Sequence, residues 1–210
     1  MRKYERLIVV SIAFCFLSLL TSCIIQMGYR KENDGSTSLS KTDSLHLAKF
    51  DIQNFNNASL QSTDSARIFQ EIDGDGIKLI LKKNKFTWIL LWATWCPHSY
   101  NDVPRALKYY ENFLKGEKLN IVLVTQNYDM KAMNKMLSEF HYKKQCYVLS
   151  AGKYGTAEFE KVVRLKQEIC TTCPEYKGVP QHILLDQDGK LIFFKAGELT
   201  KPDTILRLIK

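Results

Sequence analysis

The apolar and polar positions of this chain fall into alternating blocks, and the strongest block lies near its middle. Phe86 to Trp92 is an unbroken run of aromatic, aliphatic and β-branched residues, the composition of a strand covered on both faces. The run ends at Cys96-Pro97. Beyond it Val103, Ala106, Leu107, Tyr110 and Leu114 recur at helical spacing up to Gly116, so Cys96 is predicted where a buried strand hands over to a helix. A second β-branched run, Leu119 to Gln126, reads as a central strand. Asp129 is placed to cap a helix over Met130 to Phe140, whose Met133, Met136, Leu137 and Phe140 form one stripe, a spacing that core packing explains without a metal. Gln145 to Leu149 is a further short strand and Tyr154 to Ile169 is helical. Two apolar runs, Gln181–Asp186 and Leu191–Phe194, flank Asp188-Gly189 and read as a hairpin, and Pro202 opens a last helix with Ile205, Leu206 and Ile209 apolar.

Upstream the pattern weakens. Ile77, Ile80 and Leu81 favour a helix, with a strand as the alternative, Asp73 to Gly76 reads as a turn, and Ser65 to Glu71 is predicted as a short helix capped by Asp64. The Asp-x-Asp-Gly of that turn lacks the remaining ligands of a calcium loop. Gln26 to Asp64 is rich in Ser, Thr, Asn and Asp with little apolar periodicity and reads as a tether, with Phe50-Asp51-Ile52 expected as a short strand joining the domain. The alternation of strands and helices makes an α/β domain with parallel pairing.

Composition sets the address. The first residues carry Arg2, Lys3 and Arg6 ahead of the apolar stretch Leu7 to Leu20, which is short for a membrane span and reads as an export signal. Leu20-Thr21-Ser22-Cys23 resembles a bacterial lipoprotein signal, implying a signal peptide over 1–22, a lipidated Cys23, a tether over 23–64 and a domain over 65–210. An uncleaved anchor and an ordinary cleaved signal are the alternatives. Each exports the domain to an oxidising compartment, here the bacterial cell envelope facing the periplasm. The whole chain of 210 residues has a net charge of +8, and loss of 1–22, with three basic side chains and one acidic, would leave +6. Without clustered basic and stacking aromatic residues, this charge is a solvated surface and not a nucleic-acid footprint.

The junction at Cys96 carries the candidate chemistry. The first turn of a helix offers unpaired N–H groups and the positive end of the macrodipole, both of which favour a thiolate. Pro97 suits that turn because its missing N–H costs nothing there. His98 is placed to stabilise the anion when charged, and Asp102 is either a proton relay or a solvated helix carboxylate. Trp92-Ala93-Thr94-Trp95-Cys96-Pro97-His98-Ser99 resembles the W-A-x-W-C-x-x-C segment of thioredoxin-like proteins with serine in place of the last cysteine. Pro97-His98 resembles the C-P-H-C of periplasmic disulfide oxidases, and Asp102-Val103-Pro104 the acid-x-Pro of membrane-tethered thiol–disulfide oxidoreductases of the cytochrome-maturation type. Gly178-Val179-Pro180 before a strand and hairpin resembles the second signature of that fold, whose proline is cis and faces the reactive cysteine. Over Ile77 to Lys210 the resemblance implies a thioredoxin-like fold, a central mixed sheet flanked by helices.

It also implies a thiol–disulfide oxidoreductase or isomerase acting on exported proteins or peptides with thiols or disulfides, recycled by a thiol reductant or oxidant and needing no cofactor. Trp95, Pro97, Val179 and Pro180 would form the substrate groove. Ser99 can donate a hydrogen bond to the Cys96 thiolate but cannot attack, so mixed disulfides on Cys96 would persist until another thiol arrives. Cys170 and Cys173 could resolve them, or could bridge each other as a structural or separately redox-active C-x-x-C. A zinc site would have to recruit Cys146, His141 or His182 without motif spacing, and Cys146 within an apolar strand is most simply a buried small side chain. Leu90 stands six residues before Cys96, where thioredoxins often carry a buried acid. Two alternatives compete: a thiol peroxidase, which usually has threonine where Ala93 stands, and a non-catalytic binding module on the same fold.

Overall fold

Among the described residues, seven strands form one sheet. The structure is a computed structural model that describes residues 47–50 and 69–210 apart from 117 and 143. The expected signal, Cys23 and most of the tether lie outside the described residues. In chain order the elements are β1 (Leu47–Lys49), β2 (Phe69–Ile72), α1 (Gly74–Lys83), β3 (Phe86–Trp92), α2 (Pro97–Tyr109), β4 (Leu119–Thr125), α3 (Met130–Glu139), β5 (Cys146–Leu149), α4 (Ala151–Tyr154), α5 (Glu158–Ile169), β6 (Gln181–Asp186), β7 (Leu191–Ala196) and α6 (Asp203–Ile209).

The sheet is mixed. In the order β1-β2-β5-β4-β3-β6-β7 the first five strands run parallel, β6 is antiparallel to β3, and β7 is antiparallel to β6. β3 is therefore central, which explains its unbroken apolar run: a parallel strand with helices on both faces has no wet side. Trp88, Leu90 and Trp92 point to the layer where Val103, Ala106 and Leu107 of α2, Met133 and Leu137 of α3 and Ile205 and Ile209 of α6 are buried. Ile89 and Leu91 alternate to the opposite face, the side of α1 and α5.

Three upstream expectations are corrected. The helix over Ser65–Glu71 is, over its described end, the strand β2: Phe69 and Ile72 are buried at the sheet, and pairing with β5 on one side and β1 on the other overrides local propensity. The turn Asp73–Gly76 is the start of α1, with Asp73 as N-cap accepting from Gly76 N–H at 2.9 Å. Asp51 and Ile52 of the expected strand over 50–52 lie outside the described residues, while part of the stretch expected as tether is the strand β1, Leu47–Lys49. Phe50 N–H continues its ladder to Glu71 O, and the Phe50 ring packs edge-on against Tyr147. The expected Tyr154–Ile169 helix is divided into α4 and α5 at Gly155, whose φ of 81° a residue with a side chain adopts with difficulty. After α2 the chain adds a single π turn, Tyr110–Leu114, before Gly116.

Two lysines of α5 end inside the domain. Lys161 is fully buried with its amine 4.1 Å from the centre of the Tyr128 ring and no hydrogen-bond partner among the described residues. Lys166 donates to Pro174 O and to Gln181 Oε1. Burial pushes both amines down to about 8. An unfolded chain keeps these protons to about pH 10.4, so between roughly pH 8 and 10 the unfolded state binds more protons than the folded one and stability rises with pH. We expect the urea midpoint to increase from pH 7.5 to pH 9.5, by on the order of 1 kcal/mol in stability. Lys161→Met should flatten that rise, and an unchanged pH profile in the variant would contradict the assignment.

Candidate active site at the end of the central strand

Cys96 stands where the sequence predicts, as the N-cap of α2, with Pro97 opening the helix. β3 reaches it through a tight turn in which Cys96 N–H bonds to Ala93 O, and Tyr100 N–H then bonds to Cys96 O. The turn is braced from β4: Thr125 Oγ1 donates to Asn127 Oδ1, which also accepts from Thr94 N–H, while Asn127 Nδ2 donates to Thr94 Oγ1. Cys96 is a free thiol with 1% of its surface exposed. Its Sγ lies 3.1 Å from Val179 O, and the Val179–Pro180 bond is cis. The two segments that resemblance had paired thus meet at hydrogen-bond distance.

The neighbours behave differently from expectation. Ser99 is fully buried, and its hydroxyl accepts from Ala93 N–H at 3.4 Å; its hydrogen bond goes to the turn before the nucleophile and not to the Cys96 sulfur. His98 is half-exposed, and its Nδ1 lies 2.8 Å from Glu198 Oε1, so a protonated imidazole has an anion of its own to face. Asp102 is not a solvated helix carboxylate. It is fully buried, its Oδ1 accepting from Arg105 at 2.9 Å and from Leu199 N–H at 2.8 Å, while Oδ2 sits 2.7 Å from His182 Nε2. His182 Nδ1 accepts from Trp88 Nε1 at 3.3 Å, which leaves the imidazole proton on Nε2, facing Asp102. Burial works to raise the Asp102 pKa, but the contacts with His182, Arg105 and Leu199 outweigh it and hold the carboxyl below the usual range. Arg105 also reaches Glu198 at 3.1 Å. His98, Glu198, Arg105, Asp102, His182 and Trp88 therefore form one chain of contacts from the rim to the core.

On the other side of Cys96 lies an aromatic rim. Trp95, 43% exposed, donates through Nε1 to Glu158 Oε2 at 2.9 Å. Gln126 reaches the same carboxylate and accepts from Tyr176 OH at 2.9 Å, and the Tyr176 ring packs edge-on against Phe159, itself 55% exposed. Burial pushes the Tyr176 hydroxyl up to about 12, with the nearby Glu158 carboxylate adding to it.

A family profile described as thioredoxin-like matches residues 84–191, from the start of β3 into β7. The chain belongs to the thioredoxin-like family. Its mixed sheet with helices on both faces is the fold the resemblance implied. Among solved structures, this thioredoxin-like chain is similar to the thioredoxin domain of a thiol–disulfide oxidoreductase from Bacteroides vulgatus, with 22% identity, 61% of this chain and 82% of that chain covered and a TM-score of 0.45. A thiol:disulfide interchange protein from a Bacteroides species matches with 21% identity, 61% and 75% coverage and a TM-score of 0.45. A thiol:disulfide interchange protein of the thioredoxin family from Chlorobium tepidum matches with 13% identity, 61% and 79% coverage and a TM-score of 0.46. The search of curated proteins returned no match.

In this thioredoxin-like domain Cys170 and Cys173 are bonded to each other, the second of the two pairings open at the sequence level. Cys146 is a buried thiol in β5. Among the described residues no group of three or more His, Cys, Asp or Glu side chains is placed to hold a metal. Nor is any described helix long and apolar enough to cross a membrane.

Sequence reasoning missed His182, Arg105 and Glu198 on one side of Cys96 and Glu158, Gln126 and Tyr176 on the other. His182 had a signal: a histidine inside an apolar strand must find a partner when buried. Register places it opposite Leu90, so an acid–imidazole pair fills the layer where Leu90 alone was expected. Arg105 stands three residues after Asp102, the spacing of an ion pair on one helix; the others gave no signal, because their partners lie dozens of positions away in the chain.

Proposed function

We propose that this protein is a thiol–disulfide oxidoreductase or isomerase that acts through one nucleophile, Cys96, on the disulfides of exported proteins or peptides. The observation that carries the proposal is the Cys96 thiol at the N-terminus of α2, held against the carbonyl of Val179. A helix N-terminus favours the anion, and a sulfur that ionises no longer has a proton to give the carbonyl, which frees Val179 O for the backbone N–H of an extended substrate. The thiolate attacks one sulfur of a substrate disulfide, forming the Cys96–substrate bond and expelling the other substrate sulfur as a thiolate that takes up the proton. With Ser99 in the following turn, the mixed disulfide awaits a second thiol, either on the substrate, which gives isomerisation, or on an external reductant. Trp95, Phe159 and Tyr176 offer an apolar, partly exposed rim for the residues flanking the substrate cysteine. The basic, apolar N-terminus ending in Leu20-Thr21-Ser22-Cys23 supports export, cleavage after residue 22 and a lipid anchor at Cys23, holding the domain in the cell envelope on the periplasmic side.

The test is capture. A peptide with one disulfide, incubated with the mature protein and quenched by acid, should give a one-to-one adduct that mass mapping places on Cys96 and that Cys96→Ser does not form. Identical adducts in both proteins would refute the proposal, and a Cys96 no more reactive than free cysteine would make the domain a binding module.

A further inference from the structure

The loop that carries Val179 to Cys96 begins at the Cys170–Cys173 disulfide, which opens on a cavity of its own. Cys170 is the C-cap of α5, and Cys173 N–H bonds back to Cys170 O. The two sulfurs differ in access: Cys170 is 4% exposed and Cys173 is half-buried. Beside them is a cavity of about 290 Å³ lined also by Lys166, Gln167, Thr171 and Tyr176. That volume sits at the lower end of small-molecule pockets, which run from roughly 300 to 1,000 Å³. Its lining is mixed, and Lys166, buried one turn before Cys170, spans the loop by donating to Pro174 O and Gln181 Oε1.

We propose that Cys170–Cys173 is a second thiol–disulfide exchange centre, separate from Cys96, that takes a small polar thiol in this cavity, with Cys173 the sulfur attacked and Cys170 the sulfur that leaves. An incoming thiolate bonds to Cys173 Sγ, the Cys170–Cys173 bond breaks, and Cys170 departs as a thiolate. A second small thiolate then attacks the small-molecule sulfur of the mixed disulfide, releasing a small-molecule disulfide and the Cys173 thiolate. Two thiols are oxidised, one disulfide is reduced, and the two thiol protons end on Cys170 and Cys173. The order follows from access, since the more exposed sulfur is the one a solution thiol reaches. The leaving position has an electrostatic problem, because a helix C-terminus disfavours an anion. Lys166, one turn back on the same helix, puts a positive charge where it offsets that end of the dipole. Its buried amine, pushed down to about 8, ties this help to pH.

The test uses the mature full-length protein carrying Cys96→Ser, so the first centre is silent and failure here is separable from failure of the Cys96 proposal. Titration with cysteine–cystine mixtures, followed by alkylation and mass mapping, should convert Cys170 and Cys173 together from disulfide to dithiol and back, with the circular dichroism of the fold retained. A cysteine adduct trapped at low thiol should map to Cys173 in the intact pair, and Cys170→Ser should make that adduct stable. Lys166→Met should slow the exchange about tenfold at pH 7. Labelling of the pair only after denaturation would show a structural staple and overturn the proposal, and a first adduct on Cys170 would overturn the assigned order. Exchange with a protein dithiol but not with cysteine would overturn the small-thiol assignment.

Discussion

Ser99→Cys is expected to shorten the life of a mixed disulfide on Cys96 by at least about 100-fold at millimolar external thiol. A thiol one helical turn from the mixed disulfide attacks intramolecularly, and well-oriented intramolecular partners reach effective concentrations of about 10⁵ M or more. Position 99 is already buried behind the turn that presents Cys96, so the new sulfur replaces a side chain of similar size. The change has a cost. Ser99 Oγ accepts from Ala93 N–H, a sulfur accepts less well, and a lost neutral hydrogen bond of this kind destabilises by about 0.5–1.5 kcal/mol. That cost is small beside the kinetic gain and should appear only as a lower urea midpoint. The measurement is a time course of adduct decay for wild type and variant, with a disulfide between Cys96 and the introduced thiol as the product in the variant. Equal lifetimes would mean that the residue three positions on from Cys96 does not face the sulfur at all, and that the slow step lies elsewhere.

The second large effect concerns stability. Asp102→Ala should cost about 3–5 kcal/mol, because two buried N–H groups, His182 Nε2 and that of Leu199, would lose the oxygen each faces at roughly 1–3 kcal/mol apiece, and Arg105 one of its two carboxylates. For a domain of this size that is a drop of roughly 6–20 °C in melting temperature. Asp102→Asn keeps an acceptor for Leu199 and should lose less. The same residue sets an acid limit. A carboxyl whose folded pKa lies below its unfolded value gives stability that is present at neutral pH and lost as pH falls from about 4 downward. Glu198, lowered chiefly by its hydrogen bond with His98 and helped by Arg105, adds to the same window. Unfolding followed from pH 7 to pH 3 should show a shallower loss in Asp102→Ala than in wild type. A variant with the wild-type midpoint and the wild-type acid slope would remove Asp102 from this role. Because Arg105 and Glu198 link Asp102 to His98, the substitution should also slow adduct formation at Cys96 even where the fold is intact.

These effects divide along the line between local and distant information. The buried strand, the helix that starts at Cys96, the hairpin at Asp188-Gly189 and the final helix are written in short-range patterns, since each follows from side-chain periodicity, a proline at a helix start or a glycine that a turn requires. The Cys96 segment and Gly178-Val179-Pro180 also carry local signatures, and the fold brings Cys96 to Val179 as those signatures implied. Upstream, short-range pattern stops being enough. Ser65–Glu71 has helix-compatible residues, yet its described end is a strand because β1 and β5 supply hydrogen-bond partners that no window of sequence contains.

The site divides in the same way. That Cys96 is the nucleophile candidate and that Ser99 cannot resolve its adducts both follow from residue identity, because chemistry of this kind depends on which atoms a side chain carries. Long-range packing settles what those side chains touch: Ser99 turned to Ala93, His98 to Glu198, Asp102 enclosed with His182 and Arg105, and Cys170 joined to Cys173. A polar or ionisable group takes its role from the partner that compensates its burial. Here most of those partners are separated from it by tens of residues along the chain and meet it only when the sheet has formed.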